Sequence, residues 1–424
     1  MLIQFTTENF NSIKDRVSLS MTATRFKEHP DNIQSVENHG LNLLKSACIY
    51  GPNASGKTNL VRAILFFSRF IVSSAKTQVG DGIGGLSAFK LNTETENKPS
   101  FFEMDFVIGG VLYRYGFEAD VYKVHREWLY AVINKKEVNF FKREGGGIET
   151  TRHFPEGKGV KDKTRENALF LSVVAQFNGE ISAGIVKWFR GLSVLSEGIP
   201  EKRSIERVLR EDLKHELLMF LRAADLGIED MVVTEKTLAP DDLPAKMPDT
   251  IKKMILSLPA NSRVVEKSAM HKKFGPGDSF VALEALPFAA ESKGTMKIFN
   301  LFGYLYDALL NGTPVVVDEL EGSLHPLLVE WLIGLFNSAE NKLGSQLIFT
   351  THDVNVLDRR HFRRDQVWFT EKDAYGASRL FSLSEYGSRI RNDASFAKDY
   401  MFGKYGAIPV LKRFRPPLAD TERA

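Results

Sequence analysis

The chain has 424 residues, of which 43% are hydrophobic and 26% charged, the proportions of a folded globular protein with a sizeable core. Its net charge of +3 is too small to indicate nucleic-acid binding by itself. No apolar run approaches the ~20 residues that span a membrane, and the N-terminus lacks a signal-peptide pattern. Cys48 is the only cysteine, which excludes an internal disulfide and a cysteine-based zinc site. We therefore expect a cytoplasmic protein without a membrane partner.

Taken in chain order, residues 1–20 predict two short strands, and the first motif follows them. Residues 51–58, Gly-Pro-Asn-Ala-Ser-Gly-Lys-Thr, match the phosphate-loop pattern G-x-x-x-x-G-K-[ST] at every required position. A short apolar strand before the loop and a helix after it would direct backbone N–H groups at phosphates. Lys57 would reach the β- and γ-phosphates, and Thr58 would ligate Mg²⁺. The nucleotide contacts are expected from Asn53, Ala54, Ser55, Gly56, Lys57 and Thr58.

The middle of the chain alternates strand-like and helix-like segments. Strand-like runs separated by turns fill residues 101–141 and predict an antiparallel sheet beside the nucleotide core. Residues 168–190 and 201–223 have the apolar spacing of helices. The Pro-rich stretch 239–248 predicts a linker, and residues 263–288 predict a hairpin. Because no long heptad array is present, we expect no protruding coiled coil.

A second segment that could bind phosphate lies at residues 291–295, Glu-Ser-Lys-Gly-Thr. It opens a strongly amphipathic helix that is expected to end at Asn311-Gly312. The Ser292 side chain and the N–H groups of Gly294 and Thr295 would form an anion-binding helix start. Taken alone, the same residues are explained more simply by a capping motif without any ligand.

Two later strands end in side chains that suit nucleotide chemistry. Asp318 and Glu319 follow the apolar run 315–317; Asp318 can hold the Mg²⁺ shell, and Glu319 can orient or activate the attacking water. The run 346–351 leads to His352, which can contact the γ-phosphate. The plain alternatives are a strand that ends in acidic residues and an incidental loop histidine. Because both segments follow a phosphate loop in the chain, we favour the interpretation that Glu319 and His352 are catalytic residues.

These motifs occur in the order and spacing of ABC-type ATPases. More narrowly, the chain resembles the compact prokaryotic ABC ATPases of phage-defence and abortive-infection loci. Those are relatives of RecF, of the coiled-coil repair ATPases and of the ATPase half of overcoming-lysogenization-defect proteins. Besides the motifs above, the resemblance rests on residues 5–13, 318–326 and 403–409, and it covers essentially the whole chain. It implies an α/β fold, an ABC-type P-loop ATPase head with an antiparallel β subdomain and a helical lobe.

The resemblance also implies a division of the chain. Residues 1–178 and 314–424 would form the two halves of the nucleotide-binding lobe. Residues 179–313 would form the helical lobe, with the signature motif at 291–295. The glutamine that couples Mg²⁺ to the helical lobe in such proteins is not obvious here, and Gln176 is the candidate for that metal ligand.

A head-to-tail homodimer, or a higher homo-oligomer built from such pairs, is the assembly that the resemblance implies. Each ATP, with its Mg²⁺, would lie between Lys57 of one protomer and Ser292 of the other, so the ATP sites would be composite. Ser323 and His325 would lie where the loop of dimer contacts crosses the interface. One departure from the family is Asn11, where relatives often carry Arg or Lys.

Two functions remain open from the sequence. In the first, the ATPase senses infection and controls a separately encoded toxic effector, such as a nuclease or a retron component. In the second, it is a RecF-like ATPase of DNA repair and recombination that binds DNA. No coiled coil that could track DNA is predicted, which favours the first function slightly.

Sequence signals for a built-in nuclease or a nucleic-acid surface are weak. The residues after His352 contain no Asp-x-Asp pair, so the Toprim nuclease of the lysogenization-defect relatives would be absent or a separate protein. Residues 210–215 fit the Arg-x₄-His pattern of HEPN ribonucleases, but a solvated helix face explains them as well. The clusters 359–364 and 412–415 interleave Phe with Arg, which suits nucleic-acid stacking, although basic clusters usually belong to solvated surfaces.

Overall fold

The structure, a computed structural model, describes residues 1–196, 198–237, 250, 263–389 and 395–409. The chain forms two compact units. Unit 1 comprises residues 1–196, 311–321 and 329–424, and unit 2 comprises residues 197–310 and 322–328. Unit 2 therefore begins after residue 196, whereas the sequence suggested a boundary at residue 179. The linker expected at 239–248 and the basic cluster 412–415 lie outside the described residues.

The secondary structure of the described residues is as follows. The strands are β1 (Leu2–Glu8), β2 (Val17–Ser20), β3 (Ile33–Val36), β4 (Leu41–Leu44), β5 (Ser46–Tyr50), β6 (Ser100–Ile108), β7 (Val111–Ala119), β8 (Val124–Ile133), β9 (Lys136–Glu144), β10 (Gly147–Thr150), β11 (Ser193–Leu195), β12 (Asp230–Thr237), β13 (Arg263–Phe274), β14 (Phe280–Pro287), β15 (Pro314–Val317), β16 (Gln346–Thr350), β17 (Val367–Lys372) and β18 (Ser378–Ser382). The helices are α1 (Lys57–Ser73), α2 (Phe170–Gln176), α3 (Glu180–Gly191), α4 (Lys202–Val208), α5 (Glu211–Ala223), α6 (Lys293–Asn311), α7 (Pro326–Asn337) and α8 (Phe396–Met401).

An antiparallel sheet forms one layer of unit 1, with the strand order β10-β9-β8-β7-β6-β1-β2. From Glu127 to Val132, β8 alternates buried with less buried side chains, the pattern of a sheet with one face on the core. On the core face, the ring of Phe67 from α1 lies 5.3 Å from that of Phe117, which in turn lies 5.3 Å from that of Phe102. This aromatic packing anchors the helix that follows the phosphate loop against the sheet predicted at 101–141.

The second layer of unit 1 is a largely parallel sheet with the order β11-β15-β16-β5-β17-β18. Only β18 runs antiparallel to its neighbour β17. Strands β5, β15 and β16 are buried along their whole length, which explains their nearly continuous apolar sequences. Because β15, β16 and β5 are parallel neighbours, their carboxyl ends meet at one edge of the sheet.

Two of the predicted helical segments are each split in two. Within 168–190, α2 ends at Gln176, Asn178 has a left-handed φ of 64°, and α3 begins after Gly179. A Cβ at Gly179 would lie 2.6 Å from Val174 Cγ1, so this tight turn requires glycine. Within 201–223, residues 209–210 separate α4 from α5. The helical predictions are therefore right in type but wrong in continuity.

Unit 2 contains a three-stranded antiparallel sheet, β12-β13-β14, together with α4, α5 and most of α6. The hairpin predicted at 263–288 is present as β13 and β14, and β12 adds a strand that the sequence did not indicate. Helix α6 ends at Asn311 as expected, and its apolar stripe is buried; the ring of Phe302 lies 4.9 Å from that of Phe220 on α5. Asp307 of α6 pairs with Arg203 and Arg207.

The predicted α/β class is confirmed, with an antiparallel β subdomain beside the parallel sheet and with a helical lobe. The longest helix of the described ranges, α6, has 19 residues, so this part of the chain contains no extended coiled coil. Within the same ranges, no helix combines the length and apolar character that crossing a bilayer requires.

Candidate nucleotide site

The phosphate loop connects β5 to α1 at the carboxyl edge of the parallel sheet. Its two invariant glycine positions leave no space for a side chain: a Cβ at Gly51 would lie 2.3 Å from the carbonyl oxygen of Thr370, and one at Gly56 would lie 2.2 Å from Ser378 Oγ. Gly56 also has a φ of 113°, which L side chains rarely adopt. The loop therefore has the closely packed, glycine-dependent backbone that a phosphate-binding turn needs.

Lys57 lies inside the curve of this loop. Its Nζ donates hydrogen bonds to the carbonyl oxygens of Gly51 and Pro52, at 2.7 and 3.1 Å, and lies 3.5 Å from His352 Nδ1. Burial lowers the pKa of Lys57 to about 8, and the negative charge of Asp318 acts in the opposite direction. A buried cation held among carbonyl dipoles, with a carboxylate nearby, is well suited to receive phosphate oxygens.

Asp318 and Glu319 follow β15 directly, and one hydroxyl group holds both of them. Thr350 Oγ1, at the end of the neighbouring strand β16, donates to Asp318 Oδ1 at 2.5 Å and accepts the Glu319 N–H at 2.8 Å. Glu319 has a left-handed φ of 50° and an exposed side chain. Non-glycine residues in this conformation cost energy and are concentrated at functional sites. The sequence did not identify Thr350, whose role depends on the pairing of β15 with β16.

His352 is tied to the carboxylate segment through Glu321, a second residue that sequence reasoning did not single out. The backbone N–H of His352 donates to Glu321 Oε1 at 2.6 Å, and its Nε2 lies 3.9 Å from Glu319 Oε1. Burial, followed by the positive charge of Lys57, lowers the pKa of His352. A neutral imidazole beside Lys57 and Glu319 can donate or accept a hydrogen bond at a phosphate oxygen.

The residues expected to bind Mg²⁺ provide a small set of oxygen donors. Thr58 is the second residue of α1, directly after Lys57. Asp318 is oriented by the hydrogen bond from Thr350. Gln176, the third candidate, has an exposed side chain at the end of α2. Within the described ranges, no group of three or more His, Cys, Asp or Glu residues could hold a metal by itself. A hydroxyl and a carboxylate fit Mg²⁺, which usually takes one or two protein oxygens and completes its shell with phosphate and water.

The signature segment belongs to unit 2. Ser292 Oγ accepts the backbone N–H of Thr295 at 3.0 Å and lies 2.9 Å from Thr295 Oγ1, so it caps α6 as the simpler interpretation requires. A Cβ at Gly294 would lie 2.7 Å from the carbonyl oxygen of Ser323, which explains the glycine there. In the same unit, His325 Nδ1 accepts the Leu327 N–H at 3.2 Å. This capping is compatible with anion binding at the helix start but does not require it.

The chain segment 395–409 packs beside the phosphate loop, a relationship that the sequence did not indicate. The ring of Tyr400 lies 6.0 Å from that of Tyr50 in β5, and the Tyr400 hydroxyl donates to the carbonyl oxygen of Ala407 at 2.8 Å. A cleft of about 850 Å³ lies between this segment and the loop. Its lining includes residues 51–55 of the loop and His352. The cleft is large enough to admit part of a ligand or of another chain beside the phosphate site.

Two alternative sites suggested by the sequence have structural explanations. In the cluster 359–364, Arg363 is fully buried and paired with Asp365, and Arg364 is almost fully buried and paired with Glu28. In the segment 210–215, Arg210 is paired with Asp212 at 2.7 Å and precedes α5. The second half of the first cluster is therefore part of the core, while Arg359 and Arg360 are exposed, and the second cluster is a solvated helix start.

Comparison with known protein families assigns this chain to one of them. Residues 46–189 and 266–358, more than half of the chain, match a family model described as "AAA domain, putative AbiEii toxin, Type IV TA system". No curated protein sequence matches the chain. Three similar solved structures are an SMC head bound to the C-winged helix domain of ScpA (14% identity, TM-score 0.43, 92% of this chain and 99% of that chain), the SMC head domain from Thermotoga maritima (13%, 0.39, 90% and 98%) and the recombination mediator protein RecF-ATPrS of the RecFOR pathway (14%, 0.35, 90% and 98%).

Proposed function

Because the chain belongs to the AAA domain family associated with AbiEii toxin and type IV toxin–antitoxin systems, we propose that it is an ABC-type ATPase that controls a separately encoded effector. One observation carries the ATPase part of the proposal. Lys57, Asp318 and His352 come from the ends of three neighbouring parallel strands or from the loop that follows. Thr350 donates to Asp318, Glu321 accepts the backbone N–H of His352, and Lys57 Nζ lies 3.5 Å from His352 Nδ1. The grouping supports binding and hydrolysis of a nucleoside triphosphate.

Each side chain has a definable task in that reaction. Lys57 and the N–H groups of residues 53–58 would bind the phosphates, with Thr58 and Asp318 holding Mg²⁺. Mg²⁺ would neutralise charge on the phosphate oxygens during transfer. Glu319, whose side chain is exposed while its backbone is held by Thr350, would orient the attacking water. His352 would hydrogen-bond the γ-phosphate and thereby distinguish ATP from ADP.

We further propose that two copies share each ATP, with Ser292 and Gly294 of one copy completing the site at Lys57 of the other. The capped start of α6, with Gly294 packed closely on Ser323, supports this because a helix N-terminus directs backbone N–H groups outward, where an anion can bind. Gln176 remains our candidate for an additional Mg²⁺ ligand. This arrangement would make the contact at the shared site depend on ATP, and hydrolysis would then release that contact.

The proposed output is control of a toxic effector protein, such as a nuclease or a retron component, in antiviral defence. The family description, which refers to a toxin and a toxin–antitoxin system, supports a protein partner. Arg114 on the antiparallel sheet is paired with Glu137, and Arg16 before β2 is paired with Glu8, which reduces the positive charge that these two arginines could offer to DNA. Such paired charges release few counterions on a phosphate backbone.

The test is to express the tagged full chain from its native locus and to identify proteins that co-purify. We expect one stoichiometric partner, and we expect host protection from phage to require both proteins. Lys57→Ala should abolish protection and ATP hydrolysis while the protein remains folded, because Lys57 contacts loop carbonyls rather than the apolar core. Lys342→Ala, which removes an exposed lysine of the same unit, is the matched control and should retain both activities.

The same preparation tests the RecF-like alternative. If the purified chain has no protein partner and if duplex or single-stranded DNA stimulates its ATPase, the DNA-repair function is correct and the effector proposal is wrong. Full protection by the ATPase expressed alone would also contradict the effector proposal. Failure of Lys57→Ala to reduce hydrolysis would contradict the ATPase assignment itself.

A further inference from the structure

Strand β14 is an unusually apolar edge strand. It pairs with β13 on one side, and among the described residues no strand pairs with its other edge. All eight of its residues are exposed. Its large apolar side chains Phe280, Val281, Leu283 and Leu286 are between 42% and 60% exposed and occupy both faces of the strand. Phe274, across the hairpin, is 55% exposed as well.

Soluble proteins rarely leave such an edge unprotected. Edge strands commonly carry charged residues, internal prolines or bulges, which prevent another strand from pairing with them. In β14, the charge of Glu284 is neutralised by Lys273 on β13, at 2.6 Å, and Pro287 stands at the strand's end. The only irregularity of the β13–β14 register lies at Lys273/Phe274, near the tip of the hairpin. The central part of β14 is therefore open to pairing through its backbone and through both faces.

We propose that β14 is an interaction surface for a second copy of this chain, in which the two β14 strands pair antiparallel with Leu283 opposite Leu283. The sequence is self-complementary in this register. Phe280 lies opposite Leu286, Val281 opposite Ala285, and Ala282 opposite Glu284. Every pair thus contains an apolar side chain, and large apolar side chains meet on both faces. The two three-stranded sheets become one continuous sheet, and the exposed edge disappears.

Charge selects this register over the one centred on residue 284. A shift that centred the pair on residue 284 would place Glu284 directly opposite Glu284, and like charges opposite one another destabilise a ladder. In the proposed register the two Glu284 side chains are only diagonal neighbours, and each has Lys273 beside it. A shift by one residue would place side chains that point to different faces opposite one another. In a continuous sheet, directly opposite residues point to the same face, so this register is excluded. The strand that fits the open edge of β14 is therefore β14 of a second copy.

Cysteine cross-linking tests the register directly. The native Cys48 is fully buried, so an introduced surface thiol reacts alone. We expect Leu283→Cys, in the full chain without nucleotide, to form a covalent dimer with a short bismaleimide at a rate about tenfold above that of Val79→Cys, because pairing raises the effective concentration of the thiols. Val79, 81% exposed on a loop of unit 1, is the matched control. Mixing Val281→Cys with Ala285→Cys should give the cross-linked heterodimer in excess.

A charge substitution provides the second measurement. Leu283→Lys places like charges opposite one another and should shift the sedimentation of the nucleotide-free protein to the monomer, whereas Val79→Lys should not. Neither readout requires ATP, so Lys57→Ala should leave both unchanged, and a failed ATPase proposal would not alter them. Equal cross-linking of Leu283→Cys and Val79→Cys would overturn the proposal. So would cross-linking of Leu283→Cys to a different protein only, which would show that β14 binds a strand of another partner.

Discussion

Thr350 donates a hydrogen bond of 2.5 Å from Oγ1 to Oδ1 of Asp318, and the same oxygen accepts the N–H of Glu319 at 2.8 Å. Two residues with different proposed tasks, metal binding and water activation, are therefore positioned by one side chain of the neighbouring strand. Thr350 is fully buried, so no water can replace it without rearrangement. The left-handed backbone of Glu319 depends on this bond for support.

We expect Thr350→Val to reduce ATP hydrolysis by about 10- to 100-fold, because a buried N–H and a carboxylate oxygen lose their partner at about 1–3 kcal/mol. Thr350→Ser keeps the hydroxyl and should keep most of the activity. Steady-state hydrolysis of both variants, with ATP affinity measured by calorimetry, checks this. Equal activity of the valine and serine variants would contradict a role for the hydroxyl.

Glu319→Gln should leave ATP binding intact and slow hydrolysis by roughly two or more orders of magnitude, because the attacking water loses its orienting base. The variant should also accumulate ATP-bound dimers, which size-exclusion chromatography with ATP and Mg²⁺ detects in a Leu283→Lys background, where the proposed β14 contact is removed. Asp318→Asn offers a contrast, since it should weaken Mg²⁺-dependent ATP binding as well. Wild-type turnover in Glu319→Gln would show that another group activates the water.

Glu321 positions His352 by accepting a hydrogen bond from its backbone N–H. Two variants, Glu321→Gln and Glu321→Ala, show whether this hydrogen bond or the negative charge of Glu321 matters for hydrolysis. Glu321→Gln keeps an oxygen that can accept the His352 N–H at the 2.6 Å contact and should retain activity. Glu321→Ala loses the acceptor and should reduce hydrolysis by about tenfold, with a smaller effect on ATP affinity. If the glutamine variant is as impaired as the alanine variant, the negative charge near Lys57 is what matters.

A mixing experiment checks the shared ATP site. Lys57→Ala and Ser292→Arg should each be inactive alone, but a heterodimer of the two contains one site with both groups intact. An equimolar mixture should regain about a quarter of the wild-type activity, since half of the randomly formed dimers carry one working site of two. If no mixture regains activity although heterodimers form, the site is not shared between copies.

Asp105 on β6 should make stability depend on pH. Burial, and then the neighbouring Glu103, raise its pKa to about 7. Because the folded pKa lies above the unfolded value of about 3.9, the folded state holds the proton more tightly, and stability falls as pH rises from about 4 to 7. Asp105→Asn should therefore raise the melting temperature by a few degrees at pH 8 and by less at pH 5. Glu149→Gln, an exposed acid of the same sheet, is the control, and an equal gain at both pH values would contradict the shift.

Local motifs explain what the sequence predicts well. The phosphate loop lies within residues 51–58, and its glycines and Lys57 are recognisable because strand, turn and helix are adjacent in the chain. The positions of Asp318, Glu319 and His352 are predictable for a similar reason, since each follows a short buried strand; their catalytic and metal-binding roles stay predictions. The predicted antiparallel sheet and hairpin follow from alternation and turn residues.

Relationships between distant segments could not be predicted in the same way. Thr350 acts only because β16 pairs with β15, and Tyr400 contacts Tyr50 across some 350 positions of sequence. Contacts between such distant residues leave no periodic pattern in the sequence. The break between α2 and α3 is easier to predict from the sequence, because Asn-Gly, as at residues 178–179, is a frequent turn pair in which both residues tolerate unusual backbone angles. The placement of Gln176 at the end of α2 follows from that break.

The order of strands in the parallel sheet has a consequence for synthesis of the chain. Strand β5, which leads into the phosphate loop, lies between β16 and β17, and both are translated much later. At ribosomal rates of about 5–20 residues per second, the ~300 residues between β5 and β16 take roughly 15–60 s to emerge. During that time the apolar segment 46–50 has neither of its sheet neighbours. A nascent or prematurely terminated chain therefore cannot assemble the ATP site, and such a chain exposes a strand that cellular chaperones would have to shield.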